Sequence, residues 1–155
     1  MIKNIFVAKK SKMPQIEIEA VKVDAGKGIV GDRNYAKRQE EGQNITFVES
    51  EEIDAFNTNF KQQIGLSATR RNIVTEGVRL NHLVGKDFMI GDVRFYGVEL
   101  CEPCAFLGQL LANDSLSAPQ VVKAWLHRGG LRANVLSTGI LKKGMPFIVC
   151  NDLSC

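Results

Sequence analysis

Apolar and polar residues alternate from Gln15 through Ile16, Glu17, Ile18 and Glu19 towards Val21 and Val23, the period-two signature of a half-buried strand over 15–23. Gly26, Gly28 and Gly31 break that run into a loop ending at Asp32-Arg33, and a short strand is expected at 44–48. The spacing of Ile53, Phe56 and Phe60 predicts a helix with its face in the core, with Ser50 as N-cap and acids in its first turn. Residues 71–75 read as a strand closed by Glu76-Gly77. The clearest hairpin is 86–90 and 93–98 around Gly91-Asp92, a pair suited to a two-residue primed turn. A helix is expected over 105–111. A second runs over 118–127, with Val121, Val122, Trp125 and Leu126 on one face, and ends at Arg128-Gly129-Gly130, where glycine supplies the left-handed position. Strands at 132–137 and 145–150, joined by a Gly- and Lys-rich turn, close the chain. Strands do not alternate regularly with helices. The expected fold is therefore mainly β (α+β), a closed or nearly closed β-barrel with a few peripheral helices.

Composition changes this picture little. The 155 residues suit one domain spanning 1–155, and 45% hydrophobic with 24% charged residues is an ordinary globular balance. A net charge of +3 is too small to imply nucleic acid, and Lys9, Lys10 and Lys12 read as a solvated turn because no aromatic residues interleave with them. No window approaches the roughly 20 apolar residues that span a bilayer, and residues 1–7 lack the features of a secretory signal. The expectation is a soluble, cytoplasmic protein with no nucleic-acid or membrane partner. In a reducing compartment the four cysteines, Cys101, Cys104, Cys150 and Cys155, point to thiol chemistry or a metal rather than disulfides.

Cys101-Glu102-Pro103-Cys104 is the most informative stretch. Pro103 suits the first position of the following helix, which places Cys104 in its first turn, where free N–H groups and the helix dipole favour a thiolate. Such a thiolate can attack sulfur, carry a persulfide or ligate a soft metal. The plain alternative is that both cysteines are small buried apolar groups. Structural zinc is a further alternative, with Cys150, Cys155, His82 and His127 as the remaining candidates, but the CxxC is not repeated. Arg33, Arg70, Arg71, Arg128 and Arg132 fall at strand ends and loops, where a guanidinium fork suits a phosphate. Asn44 and Asn72 could add neutral hydrogen bonds to a heterocycle, and alternation along the strand sends Arg70 and Arg71 to opposite faces. Any single arginine could equally be a solvated surface group. Gly26, Gly28 and Gly31 have no helix behind them, so a Rossmann reading fails.

Taken in order, several segments resemble the MOSC domains, named for the C-terminal domain of molybdenum cofactor sulfurase. They are Gly28-Ile29-Val30-Gly31-Asp32-Arg33, Gln43-Asn44-Ile45-Thr46, Arg71-Asn72-Ile73-Val74-Thr75-Glu76-Gly77, Leu83-Val84-Gly85-Lys86, Ile90-Gly91-Asp92-Val93, Cys101-Glu102-Pro103-Cys104 and Arg128-Gly129-Gly130-Leu131-Arg132-Ala133. The resemblance implies a β-barrel-rich fold, molybdenum cofactor (molybdopterin) as ligand, and an essential cysteine matching Cys104. That cysteine would carry sulfur or act as a molybdenum ligand. It also implies that Arg71 and Arg128, with Arg33, bind the pterin phosphate; Asn72 is expected among the cofactor-binding residues through its neutral hydrogen bonds. Some members of the family reduce N-hydroxylated compounds with the cofactor, which is the alternative activity. No pyridoxal-phosphate desulfurase domain is present in these residues, so sulfur is expected from a partner such as a cysteine desulfurase, or electrons from an electron-donor protein.

Overall fold

The two central strands explain the architecture. Strand β5 (Ile45–Glu49) and strand β6 (Ile73–Thr75) pair in parallel, and their residues alternate between two apolar layers. Phe47 and Ile73 point into one cluster, and Val48 and Val74 into the other. Strands buried on both faces read as unbroken apolar runs, which is why this pair shows no clear alternation.

The structure, a computed structural model, describes residues 1–37 and 41–150. Around the central pair run β1 (Ile2–Val7), β2 (Ile16–Ile18), β7 (Asp87–Ile90), β8 (Val93–Leu100), β9 (Leu131–Val135) and β11 (Phe147–Val149). They form an eight-stranded sheet in the order β11-β7-β8-β9-β5-β6-β1-β2. Strands β3 (Ala20–Asp24), β4 (Gly28–Ile29) and β10 (Gly139–Lys142) make a separate three-stranded sheet. The large sheet curls into a half-barrel whose edge strands, β11 and β2, do not pair. The mainly β class holds, but the closed barrel does not. The strand expected over 15–23 divides at Glu19, β2 staying with β1 while β3 leaves for the small sheet. The Gly- and Lys-rich turn before the last strand contains β10, the partner of β3.

The first apolar cluster fills the curl, with Phe47, Phe88 and Phe95 fully buried. Phe47 meets Phe88, Phe95 and Phe147 edge to face with ring centroids 5.9–6.0 Å apart, a favoured aromatic geometry. The second cluster lies under helices α1 (Ser50–Phe60), α2 (Ala105–Leu111) and α3 (Ala118–Trp125) and centres on Trp125 and Phe56. Helix α1 starts one residue before expectation, with Glu49 rather than Ser50 at the cap and no side-chain cap bond. The Glu49 carboxylate instead accepts a hydrogen bond from the Leu80 N–H at 2.7 Å, tying the helix start to the one-turn 3-10 segment Leu80–Leu83. Burial pushes the Glu49 carboxyl up from its ordinary value, against the opposing pull of that N–H and Arg79.

Helix α3 has the capping box that its sequence allows, Ser117 and Gln120 exchanging hydrogen bonds. It ends two residues before expectation, and the left-handed residue after it is His127 (φ 61°), not a glycine. Gly129 and Gly130 are there for close approach. A Cβ on Gly129 would lie 2.0 Å from the Cys101 carbonyl oxygen, and one on Gly130 would lie 1.7 Å from that of Phe47.

Candidate functional site

The segment between β8 and α2 carries both internal cysteines, and the structure separates their environments. Cys101 is buried, its N–H donating to the Gly130 carbonyl at 2.7 Å. Burial pushes its thiol up, with Arg71 and Arg132 opposing that shift. Cys104 is exposed. It is the cap of α2 in extended conformation (φ −114°, ψ 172°), one residue before the helix rather than in its first turn, and its side chain makes no capping bond. The thiol is thus free for a ligand. Behind both cysteines, Glu102 accepts hydrogen bonds from the His127 N–H and pairs with its Nδ1 at 3.2 Å, fastening this segment to the end of α3.

Cys104 opens into a cleft of about 370 Å³. One wall is apolar, made by Phe106, Leu107 and Leu110 of α2, with Phe106 and Leu110 exposed. The other is cationic, made by Arg33, Arg70 and Arg71, with Lys12 at the rim and Thr69 between. Lys12 therefore belongs to the cleft, although its neighbours Lys9 and Lys10 are the exposed turn expected of them.

Each arginine is held differently. Arg33 sits beside Asp32 at 3.3 Å and donates to the Arg70 carbonyl at 3.0 Å. Burial depresses its pKa against the pull of Asp32, and Arg70 and Arg71 push the same way as burial. Arg71 donates through Nε to the Gly129 carbonyl at 3.0 Å. Neither Arg70 nor Arg71 has a carboxylate within ion-pair distance among the described residues. Arg70 takes a left-handed backbone conformation (φ 60°), so the chain turns there and β6 begins only at Ile73. That turn brings both guanidinium groups to one cleft instead of opposite faces.

Two more expected site residues lie elsewhere. Asn72 is completely buried: its Oδ1 accepts from Thr46 N–H and Oγ1, and its Nδ2 donates to the Phe6 carbonyl. It stitches β5 to the end of β1. Arg128 faces Glu52 at 3.6 Å and lines a separate groove between α1 and α3. The structure thus brings Cys104, Arg33 and Arg71 together and leaves Asn72 and Arg128 apart. The sequence reading assigned no role to Thr69 or Gln43, and nothing in their spacing signals one.

Polar atoms without partners mark what this region can hold. Arg70 Nη2, Thr69 Oγ1 and Gln43 Oε1 are buried and make no hydrogen bond among the described residues. Buried polar groups are almost always satisfied, so a cluster of exceptions at a cavity is room for a polar ligand. Donors without a carboxylate partner suit an anion, and an exposed thiol suits a soft metal or sulfur. For zinc, no three His, Cys, Asp or Glu side chains come together among the described residues. Cys155 lies outside them. No helix is long and apolar enough to cross a membrane.

Comparison with known proteins gives this arrangement a family. Among solved structures, the YuaD protein from Bacillus subtilis superposes with a TM-score of 0.82 at 17% identity, over 96% of this chain and 93% of that one. YiiM from Geobacillus stearothermophilus superposes with a TM-score of 0.72 at 19% identity, over 97% of this chain and 75% of that one. YiiM from Escherichia coli gives 0.67 at 15% identity, over 100% of this chain and 73% of that one. At such identities the shared property is the fold. No curated protein matches the chain. The MOSC domain, whose family is linked to molybdenum-cofactor-related function, matches residues 32–147. With most of its length covered by that match, the chain belongs to the MOSC domain family.

Proposed function

We propose that the cleft binds molybdenum cofactor and that Cys104 is its working atom, either carrying sulfur as a persulfide or ligating molybdenum. The observation that carries this reading is the juxtaposition of an exposed thiol with two arginines, Arg70 and Arg71, that have no carboxylate partner among the described residues. Arg33, Arg70 and Arg71 would hold the anionic end, and the thiol would lie at the metal end. When bound, the cofactor would supply the redox-active metal. In the sulfur-carrier form, the Cys104 thiolate attacks the outer sulfur of a donor protein's persulfide. The donor's S–S bond breaks, its cysteine leaves as thiolate, and Cys104 keeps the transferred sulfur.

One observation favours a second activity on the same site. The exposed Phe106 and Leu110 beside Cys104 offer an apolar wall, as a reductase of N-hydroxylated bases would need to seat its substrate. Electrons would then come from a donor protein.

Protein made in a host that synthesises the cofactor is purified without oxygen, and its molybdenum and persulfide are counted. Cys104→Ala should abolish whichever is present, whereas Cys101→Ala should keep most of it. Equal loss in both variants would overturn the assignment to Cys104. Turnover of an N-hydroxylated base with an electron donor separates the two activities.

A further inference from the structure

The arginine wall has a second side. A smaller, predominantly polar cavity of about 200 Å³ shares Arg33, Arg70 and Arg71 with the cleft and adds Gln43, Thr46 and Arg132. Some of its polar groups are committed. The Thr46 hydroxyl is engaged with Asn72, the neighbouring Gly42 N–H donates to Asn134, and Asp32 offsets Arg33. Three groups keep unused capacity. Arg70 Nη2 and Gln43 Oε1 are buried without partners. Arg132 shares a side-chain hydrogen bond with the buried Cys101 and, among the described residues, reaches a carboxylate only at 3.9 Å, that of Glu99, so most of its five N–H donors stay open.

These groups come from different elements. Arg70 and Arg71 arrive from the turn before β6, Arg132 from β9, and Gln43 from the segment before β5. A single phosphoryl group against the shared wall would engage Arg70 and Arg71 and leave Arg132 and Gln43 idle. We propose that the wall and the second cavity together take a diphosphate, one phosphoryl group at Arg70 and Arg71 and the other at Arg132 and the Gln43 amide. The ligand class is an organic diphosphate, whether a cofactor joined to a nucleotide or a free nucleoside diphosphate. This rests on the reading that the arginine wall holds the ligand's anionic end. Three guanidinium groups, with no carboxylate nearer than 3.9 Å among the described residues, balance the roughly two to three negative charges of such an ester. The Gln43 amide, turned about its last bond, presents donors instead of its orphaned oxygen.

The test is calorimetric titration of the full chain at fixed ionic strength with inorganic phosphate, inorganic pyrophosphate and ADP. Pyrophosphate should bind at least about tenfold tighter than phosphate, equivalent to about 1.4 kcal/mol, and ADP should match pyrophosphate. Arg132→Gln should remove most of that advantage and leave phosphate affinity within about twofold, since only the added charge-assisted contact is lost. Gln43→Glu, from a different element, should do the same by placing a carboxylate in the second cavity, so a folding defect in either variant leaves the other decisive. Equal binding of phosphate and pyrophosphate overturns the inference and leaves the proposed function standing. ADP binding more weakly than phosphate overturns it too, because the cavity would then exclude an ester. Loss of phosphate and pyrophosphate affinity together in Arg132→Gln would place Arg132 at the first phosphoryl group and also overturn it. Failure of all three ligands removes the anion wall itself, and the proposed function with it.

Discussion

Phe47, Phe88, Phe95 and Phe147 meet ring against ring inside the curled sheet, while Arg33, Arg70 and Arg71 converge on one cleft with Asp32, paired to Arg33, as their one carboxylate partner among the described residues. Among the described residues, the phenylalanine region leaves no polar side-chain atom stranded. Thr69, Arg70 and Gln43 each leave one around the arginines, and Gln15, bonded through its amide nitrogen to the Arg70 carbonyl, leaves a fourth. The first region is organised for stability alone. The second gives stability up, which locally consistent sequences do mainly where something must bind.

The widest break in that comparison comes from the core. Phe47→Ala should cost about 3–5 kcal/mol, the range for removing a buried aromatic ring, while the remaining folded protein keeps its phosphate affinity. Urea unfolding measures the first and titration the second; a loss below about 1 kcal/mol would mean that the rings are not the centre of the core. Next is the wall. Arg71→Ala should weaken phosphate binding by about 1.5–3 kcal/mol, yet lower stability by only about 0.5–1.5 kcal/mol through the lost bond to Gly129. Arg128→Ala should leave phosphate affinity unchanged, because that side chain lies in another groove. If the two variants behaved alike, the cleft would be misplaced.

A smaller effect has the opposite sign. Thr69→Val keeps the shape and removes an orphaned hydroxyl, so it should stabilise the protein by up to about 1 kcal/mol while weakening phosphate binding. A lower melting temperature would show that the hydroxyl is already satisfied by water. Smallest in energy is the contrast between the two internal thiols. Burial pushes Cys101 up and so lowers its thiolate fraction, and alkylation near neutral pH should modify Cys104 and spare Cys101. Peptide mapping reads this directly, and labelling of Cys101 first would reverse the assignment.

What the sequence disclosed depended on how local each cause was. The hairpin around Gly91 and the bounds of α2 follow from neighbouring residues, and both were legible. Cys104 was expected inside the first turn of α2 and sits at the cap instead. The division at Glu19 was not legible, because no glycine or proline marks it and β3 is drawn away by β10, some 120 residues later. Arg70 was misdirected because strand alternation was extended through a residue whose positive φ turns the chain. Asn72 and Arg128 have the right chemistry in the wrong surroundings. One is consumed by backbone partners, and the other is held by Glu52.

The positions of the cleft-forming residues along the chain also set a timetable. Its walls draw on Lys12, Arg33, residues 69–71 and α2, and Arg71 is anchored on the Gly129 carbonyl just before β9. A ribosome adding about 5–20 residues per second needs roughly 5–20 s between Arg33 and Arg132. The opposite wall, α2, follows Arg33 by about 70 residues, and Arg71 gains its anchor only when Gly129 has been added. Capture of any ligand in this cleft is therefore an event that follows synthesis of β9, and a nascent chain stalled before Gly129 would emerge without a binding site.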